Sequence, residues 1–169
     1  MTNNAPNSRM PNFTDAMALP PGPELNRAIA TLVGYSMRQE QRDPTSFYLH
    51  APDNELLWKF ERCPDIKDAW QNTVVFVALP HFSEDMNAIL PLMHQVARVH
   101  EATLTCHGPG QWSLDPLTAN HIRLKASQDT DPMALCHLWL QAAHIGLAPI
   151  PGSFAEQALK NREAFDRDF

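Results

Sequence analysis

Between Ser83 and Gly146 the apolar period changes twice, and that change limits the folds open to the chain. Met86, Ile89, Leu90, Met93 and Ala97 recur at the spacing of one helix face. The period then falls to two. The expected inward sets are Ala102, Leu104 and Cys106, then Trp112 and Leu114. Ile122, Leu124 and Ala126 then alternate with His121, Arg123 and Lys125. Leu135, Cys136, Trp139 and Ala143 restore the helical period. A chain that must be helical, then extended, then helical within one short stretch belongs to the α+β class. The expectation is an antiparallel sheet from residues 101–126 with helices 83–98 and 131–145 packed on it.

The punctuation between these runs fits. Ser83 is a good helix cap, with Glu84 and Asp85 at the positive end of the dipole. Pro91 interrupts the helical pattern and predicts a kink or a restart there. His107-Gly108-Pro109-Gly110 reads as a turn. Asp131 reads as the cap of the closing helix, with Pro132 behind it and Gly146 as its stop.

Upstream, Leu25, Ile29, Leu32 and Val33 make an apolar stripe on a helix opening near Pro23 and Glu24. Ser46–His50 and Glu55–Phe60 read as short strands around the turn Pro52-Asp53-Asn54. Cys63–Gln71 reads as a short helix. The continuous run Val74-Val75-Phe76-Val77-Ala78 reads as a strand, Thr73–Leu79, covered on both faces. The polar, proline-bearing residues 1–23 are expected to be a flexible arm. Residues 24–146 are expected to form one domain, with 45–78 as an insertion. Residues 147–169 form a tail, with a short helix expected over Ser153–Phe165.

Charge narrows the partners. Lys and Arg total 13 against 19 Asp and Glu, and the basic residues do not cluster, so no duplex nucleic acid is expected as a partner. The cysteines Cys63, Cys106 and Cys136 are odd in number and form no CxxC, which suits thiols in a reducing cytosol. No apolar leader opens the sequence and no run approaches the roughly 20 residues a bilayer span requires, so neither a signal peptide nor a membrane partner is expected.

Four blocks carry a family resemblance. Leu79-Pro80-His81-Phe82-Ser83-Glu84-Asp85-Met86-Asn87-Ala88 is similar to the helix entry of the phage ABA sandwich family. Pro23-Glu24-Leu25-Asn26 through Val33-Gly34 resembles that family's opening helix. Ala126 to Cys136, with Thr130, Pro132, Met133, Ala134 and Leu135, resembles its closing strand-to-helix step, and Gly110-Gln111-Trp112 resembles the preceding Gly-x-Trp strand. The resemblance covers about half the chain. Residues 45–78, Leu138 and Trp139 depart from the pattern. The resemblance implies an αβα-type layered sandwich and a phage or prophage origin. It implies no catalytic residue.

The residues supply no catalytic motif either. His94 and His100 flank a helix end, and His137 and His144 are seven apart, whereas a helical zinc pair is usually four apart. No metal or cofactor is expected. Cys106 and His107 are neighbours in an extended strand and point to opposite faces, so they cannot pair directly. Ser83 lacks a GxSxG setting, and Gly108-Pro109-Gly110 lacks phosphate-loop spacing. The αβββα order of residues 83–145 also resembles a double-stranded-RNA-binding domain, but Asp131 stands where a lysine cluster would open the last helix, so that reading is rejected.

The expected function is therefore non-enzymatic: a phage or prophage accessory protein acting in the host bacterial cytosol by stoichiometric binding, for instance in counter-defence. Its partner would be a bacterial host protein. The alternative is a sponge for a small nucleotide-like ligand, with Trp112, His121, Arg123 and Lys125 as ligand-binding residues. An uncharacterised hydrolase is a further alternative, and a homo-oligomer is left open.

Overall fold

The computed structural model describes residues 13–116, 123–150 and 152–167. Among them are seven helices and two three-stranded antiparallel sheets, an α+β fold. The first half holds helix α1 (Phe13–Met17), helix α2 (Pro23–Val33), strands β1 (Ser36–Gln39), β2 (Phe47–His50) and β3 (Leu56–Phe60), and short helices α3 (Ile66–Trp70) and α4 (Thr73–Ala78). The second half holds helix α5 (Met86–Val99), strands β4 (Ala102–Gly108), β5 (Gln111–Pro116) and β6 (Leu124–Ser127), helix α6 (Asp131–His144) and helix α7 (Gly152–Arg167). Each sheet keeps sequence order, β1-β2-β3 and β4-β5-β6.

Helix α6 is the centre of the molecule. It packs against α1, α5, α7, β5 and β6. Leu135, Cys136, Leu138, Trp139, Leu140, Ala142 and Ala143 are all buried, so α6 is apolar nearly all round rather than along one stripe, as a helix with neighbours on every side must be. Ile89 and Met93 of α5, Leu114 of β5 and Leu124 of β6 close on it. Burying a large apolar side chain contributes roughly 1.5–3 kcal/mol, and this cluster is the main source of stability. Phe47, Leu49, Phe60, Ala69 and Val75, from the stretch 45–78, belong to the same buried cluster.

Five local expectations need correction. Thr73–Leu79 is not a strand: residues 73–78 form helix α4, capped by the Asn72 side chain, which accepts from the Val74 N–H at 2.9 Å. Only Val75 of the helix is buried, and Val77 is 78% exposed. The β-branched run carried a strand signature, but the asparagine cap decides the local outcome. Ser83 does not cap α5; Asp85 does, accepting from Asn87 N–H. Ser83 is instead buried between segments: Asn26 Oδ1 accepts from both its N–H (2.8 Å) and its hydroxyl (2.7 Å), and its hydroxyl oxygen accepts from Gly22 N–H at 2.9 Å. Asp131 does not cap α6; Thr130 does, through Met133 N–H. Cys106 is exposed rather than inward. Within the expected arm, Phe13–Met17 is helix α1 with Phe13 and Ala16 buried, while residues 1–12 lie outside the described residues. Helix α5 runs on through Pro91, and the tail carries α7.

Candidate functional site

The outer face of the sheet β4-β5-β6 carries a trough of about 680 Å³. Its composition follows from the pleat. Leu114 and Leu124 turn inward to α6, so their neighbours Ser113, Asp115, Arg123 and Lys125 turn outward. Gln111 and Ser127 face each other across the same two strands, and Ser113 faces Lys125. Side chains opposite each other in an antiparallel pair lie on one face. His107, from the end of β4, completes the lining.

A continuous polar chain runs through the trough. His107 Nε2 and Ser113 Oγ are 2.7 Å apart. The Ser113 hydroxyl donates to Asp115 Oδ2 at 2.6 Å. Asp115 Oδ1 lies 2.7 Å from Arg123 Nε. Ser113 is 1% exposed, so its hydroxyl is satisfied by protein rather than water. A serine has one hydroxyl hydrogen. It goes to Asp115, so the bond to His107 needs the proton on the imidazole Nε2.

That order of residues differs from a catalytic triad. In a Ser-His-carboxylate triad the histidine stands between serine and carboxylate, so that the imidazole accepts the hydroxyl proton. Here the serine stands between histidine and carboxylate, with the imidazole donating to it. In this arrangement Ser113 links His107 to Asp115.

Three of the four residues expected at a ligand site, Trp112, Arg123 and Lys125, line this trough, and His121 lies outside the described residues. Trp112 is committed at one edge: its indole N–H donates to Asp131 Oδ1 at 3.0 Å, toward α6. His107, Ser113 and Asp115 were missed. Their signal was the polar half of the alternation, since Gln111, Ser113 and Asp115 are the outward set of a strand whose inward set is Trp112 and Leu114.

Four other described histidines, His81, His100, His137 and His144, sit in separate contacts. His100 Nε2 contacts Leu147 O at 2.6 Å, and His81 Nε2 contacts Phe76 O at 3.1 Å. His137 meets Gln128, and His144 meets Asn161 and the Phe13 ring. Burial holds both His137 and His144 below the usual imidazole range. Among the described residues no three metal-ligating side chains come together. No described helix is long and apolar enough to cross a membrane.

No family model, curated protein or solved structure matches this chain.

Proposed function

We propose that the protein acts by stoichiometric binding, with the outer-face trough as its small-ligand site. The observation that carries this reading is the connectivity of Ser113, which lies within hydrogen-bond distance of both His107 and Asp115. The trough has the serine, histidine and carboxylate of a hydrolase, but the serine proton is directed to Asp115 and not to His107. That connectivity gives no support to a serine-hydrolase triad at Ser113. What remains is a concave, polar, braced surface of a size that suits a small molecule.

A phage or prophage origin, action in the cytosol of a bacterial host and a counter-defence role complete the proposal. Their support is the resemblance carried by residues 79–88, 110–112 and 126–136. A sponge for a host signal is the form of counter-defence that a small-ligand trough suits.

The test is recovery of bound ligand. Protein purified from an expressing bacterium, then denatured, is expected to release one small molecule per chain, chemically unchanged. A Ser127→Trp variant, which fills the trough from its exposed edge, is expected to release none. Conversion of the released compound by substoichiometric protein, or equal release from the blocked variant, overturns the reading.

A further inference from the structure

We infer that the ligand of this trough carries an oxyanion, a phosphate or a carboxylate, seated against Lys125. The inference rests on the trough being the binding site. It follows from counting which charges in the trough are already matched.

Asp115 is the one carboxylate in the lining. Both of its oxygens are used: Oδ2 accepts from Ser113, and Oδ1 pairs with Arg123. Its charge is therefore balanced by Arg123 on the spot. Lys125 has no such balance. Its backbone carbonyl accepts from Gln141 Nε2, but its ammonium makes no hydrogen bond or ion pair among the described residues. It stands opposite Ser113, the middle of the polar chain.

The neighbours of Lys125 reinforce the sign. Arg123 projects from the same face two residues away, about 7 Å along an extended chain. Its side chain is 64% exposed while bonded to Asp115 at Nε. Gln111 and Ser127 add amide and hydroxyl donors across β5 and β6. The chain as a whole has a net charge of −6. This trough instead has two permanent cations against one carboxylate. A local reversal of sign in a concavity concentrates anions there. Ammonium and guanidinium donors make their strongest hydrogen bonds to ionised oxygens.

The experiment compares three small aromatic probes that differ in one group: phenyl phosphate, benzoate and neutral benzamide. Each is titrated into nitrogen-15-labelled protein at constant ionic strength. Saturable shifts of the Gln111, Ser113, Lys125 and Ser127 amides are expected with at least one anion. Benzamide is expected to bind at least about tenfold more weakly. The two anion arms separate a phosphate ligand from a carboxylate ligand. Lys125→Gln is expected to weaken the favoured anion about tenfold, and Lys125→Arg to restore most of it, with an unchanged melting curve because Lys125 is exposed. Equal binding of benzamide, an unaltered Lys125→Gln affinity, or no trough shift with any probe overturns the inference. The binding reading is judged separately. Release of a neutral or cationic molecule from wild type and not from Ser127→Trp leaves that reading standing and removes the oxyanion.

Discussion

One oxygen of Asp131, Oδ1, accepts from both the Gly110 backbone N–H at 2.7 Å and the Trp112 indole N–H at 3.0 Å. The first residue of α6 is thereby fastened to the turn and first strand turn of a hairpin some twenty positions earlier in the chain. Helix α6 is docked on the sheet through a polar clasp as well as through its apolar faces.

This clasp gives a pH signature. The Trp112 bond first, and then the Gly110 amide, hold the Asp131 carboxyl below its ordinary value. Its folded pKa is thus lower than its unfolded one, near 3.9. Stability from the clasp is complete above the unfolded value and is lost as pH falls through the folded one. Asp131→Asn is expected to be less stable than wild type at neutral pH. The gap should be constant above about pH 5 and close on acidification below about pH 4. Denaturant titrations across that range check it, and a gap that widens in acid would contradict it.

Gly110 is expected to tolerate no side chain. Its φ is +71°, and a Cβ there would lie 1.9 Å from the Gln128 carbonyl oxygen. The adjacent Gln128 N–H donates to Gly110 O at 2.8 Å, so the two segments cannot separate without losing a bond. Left-handed backbone costs about 1–3 kcal/mol for a non-glycine residue, and a lost buried hydrogen bond a similar amount. Gly110→Ala is predicted to destabilise by about 3 kcal/mol in equilibrium unfolding. A loss under about 1 kcal/mol would mean that the loop before α6 yields freely.

His107 should be found as the Nε2–H tautomer when neutral. Ser113 gives its hydrogen to Asp115, so only a protonated Nε2 completes the 2.7 Å contact. Long-range nitrogen-15 spectra of the imidazole distinguish the two tautomers. The same geometry predicts that a fluorophosphonate serine probe leaves native Ser113 unmodified. Labelling of Ser113, or an Nδ1–H imidazole, would reverse the direction of the chain.

The three thiols should react in a fixed order. Cys106 is exposed, whereas Cys63 and Cys136 are buried. Burial pushes both buried thiols above the ordinary range, Cys136 far above it, and the Cys136 Sγ lies 3.2 Å from Phe82 O. Only the thiolate is nucleophilic. Iodoacetamide is expected to modify Cys106 first, and Cys136 only after global unfolding. Mass spectrometry of the time course decides, and early labelling of Cys136 would mean that α6 opens locally.

Where periodicity ran long, the sequence was legible. The 3.6 period of residues 86–97 and the alternation at 124–126 placed α5 and β6, because those side chains answer to one buried surface each. Residues 73–78 were misread because a run of β-branched residues is ambiguous when short; the cap at Asn72 was the better guide. Ser83 and Asp131 were read as caps because such residues most often serve their own helix. Both instead reach distant segments, to Asn26 and to Gly110 and Trp112. No local pattern encodes a partner tens of residues away. The trough was half legible for the same reason. Arg123 and Lys125 stood out as the polar half of a clean alternation, but the chain from His107 to Asp115 exists only once β4 and β5 pair.

Strand β5 carries Trp112 on one face and Ser113 on the other, a single peptide unit of about 3.3 Å apart along the strand. The indole sits against a carboxylate on the α6 side, and the hydroxyl sits in the middle of the trough. Trp112, which also lines the edge of the trough, therefore joins the helix clasp to the candidate site: its emission, separable from the three other indoles by substitution, is expected to change when the trough fills.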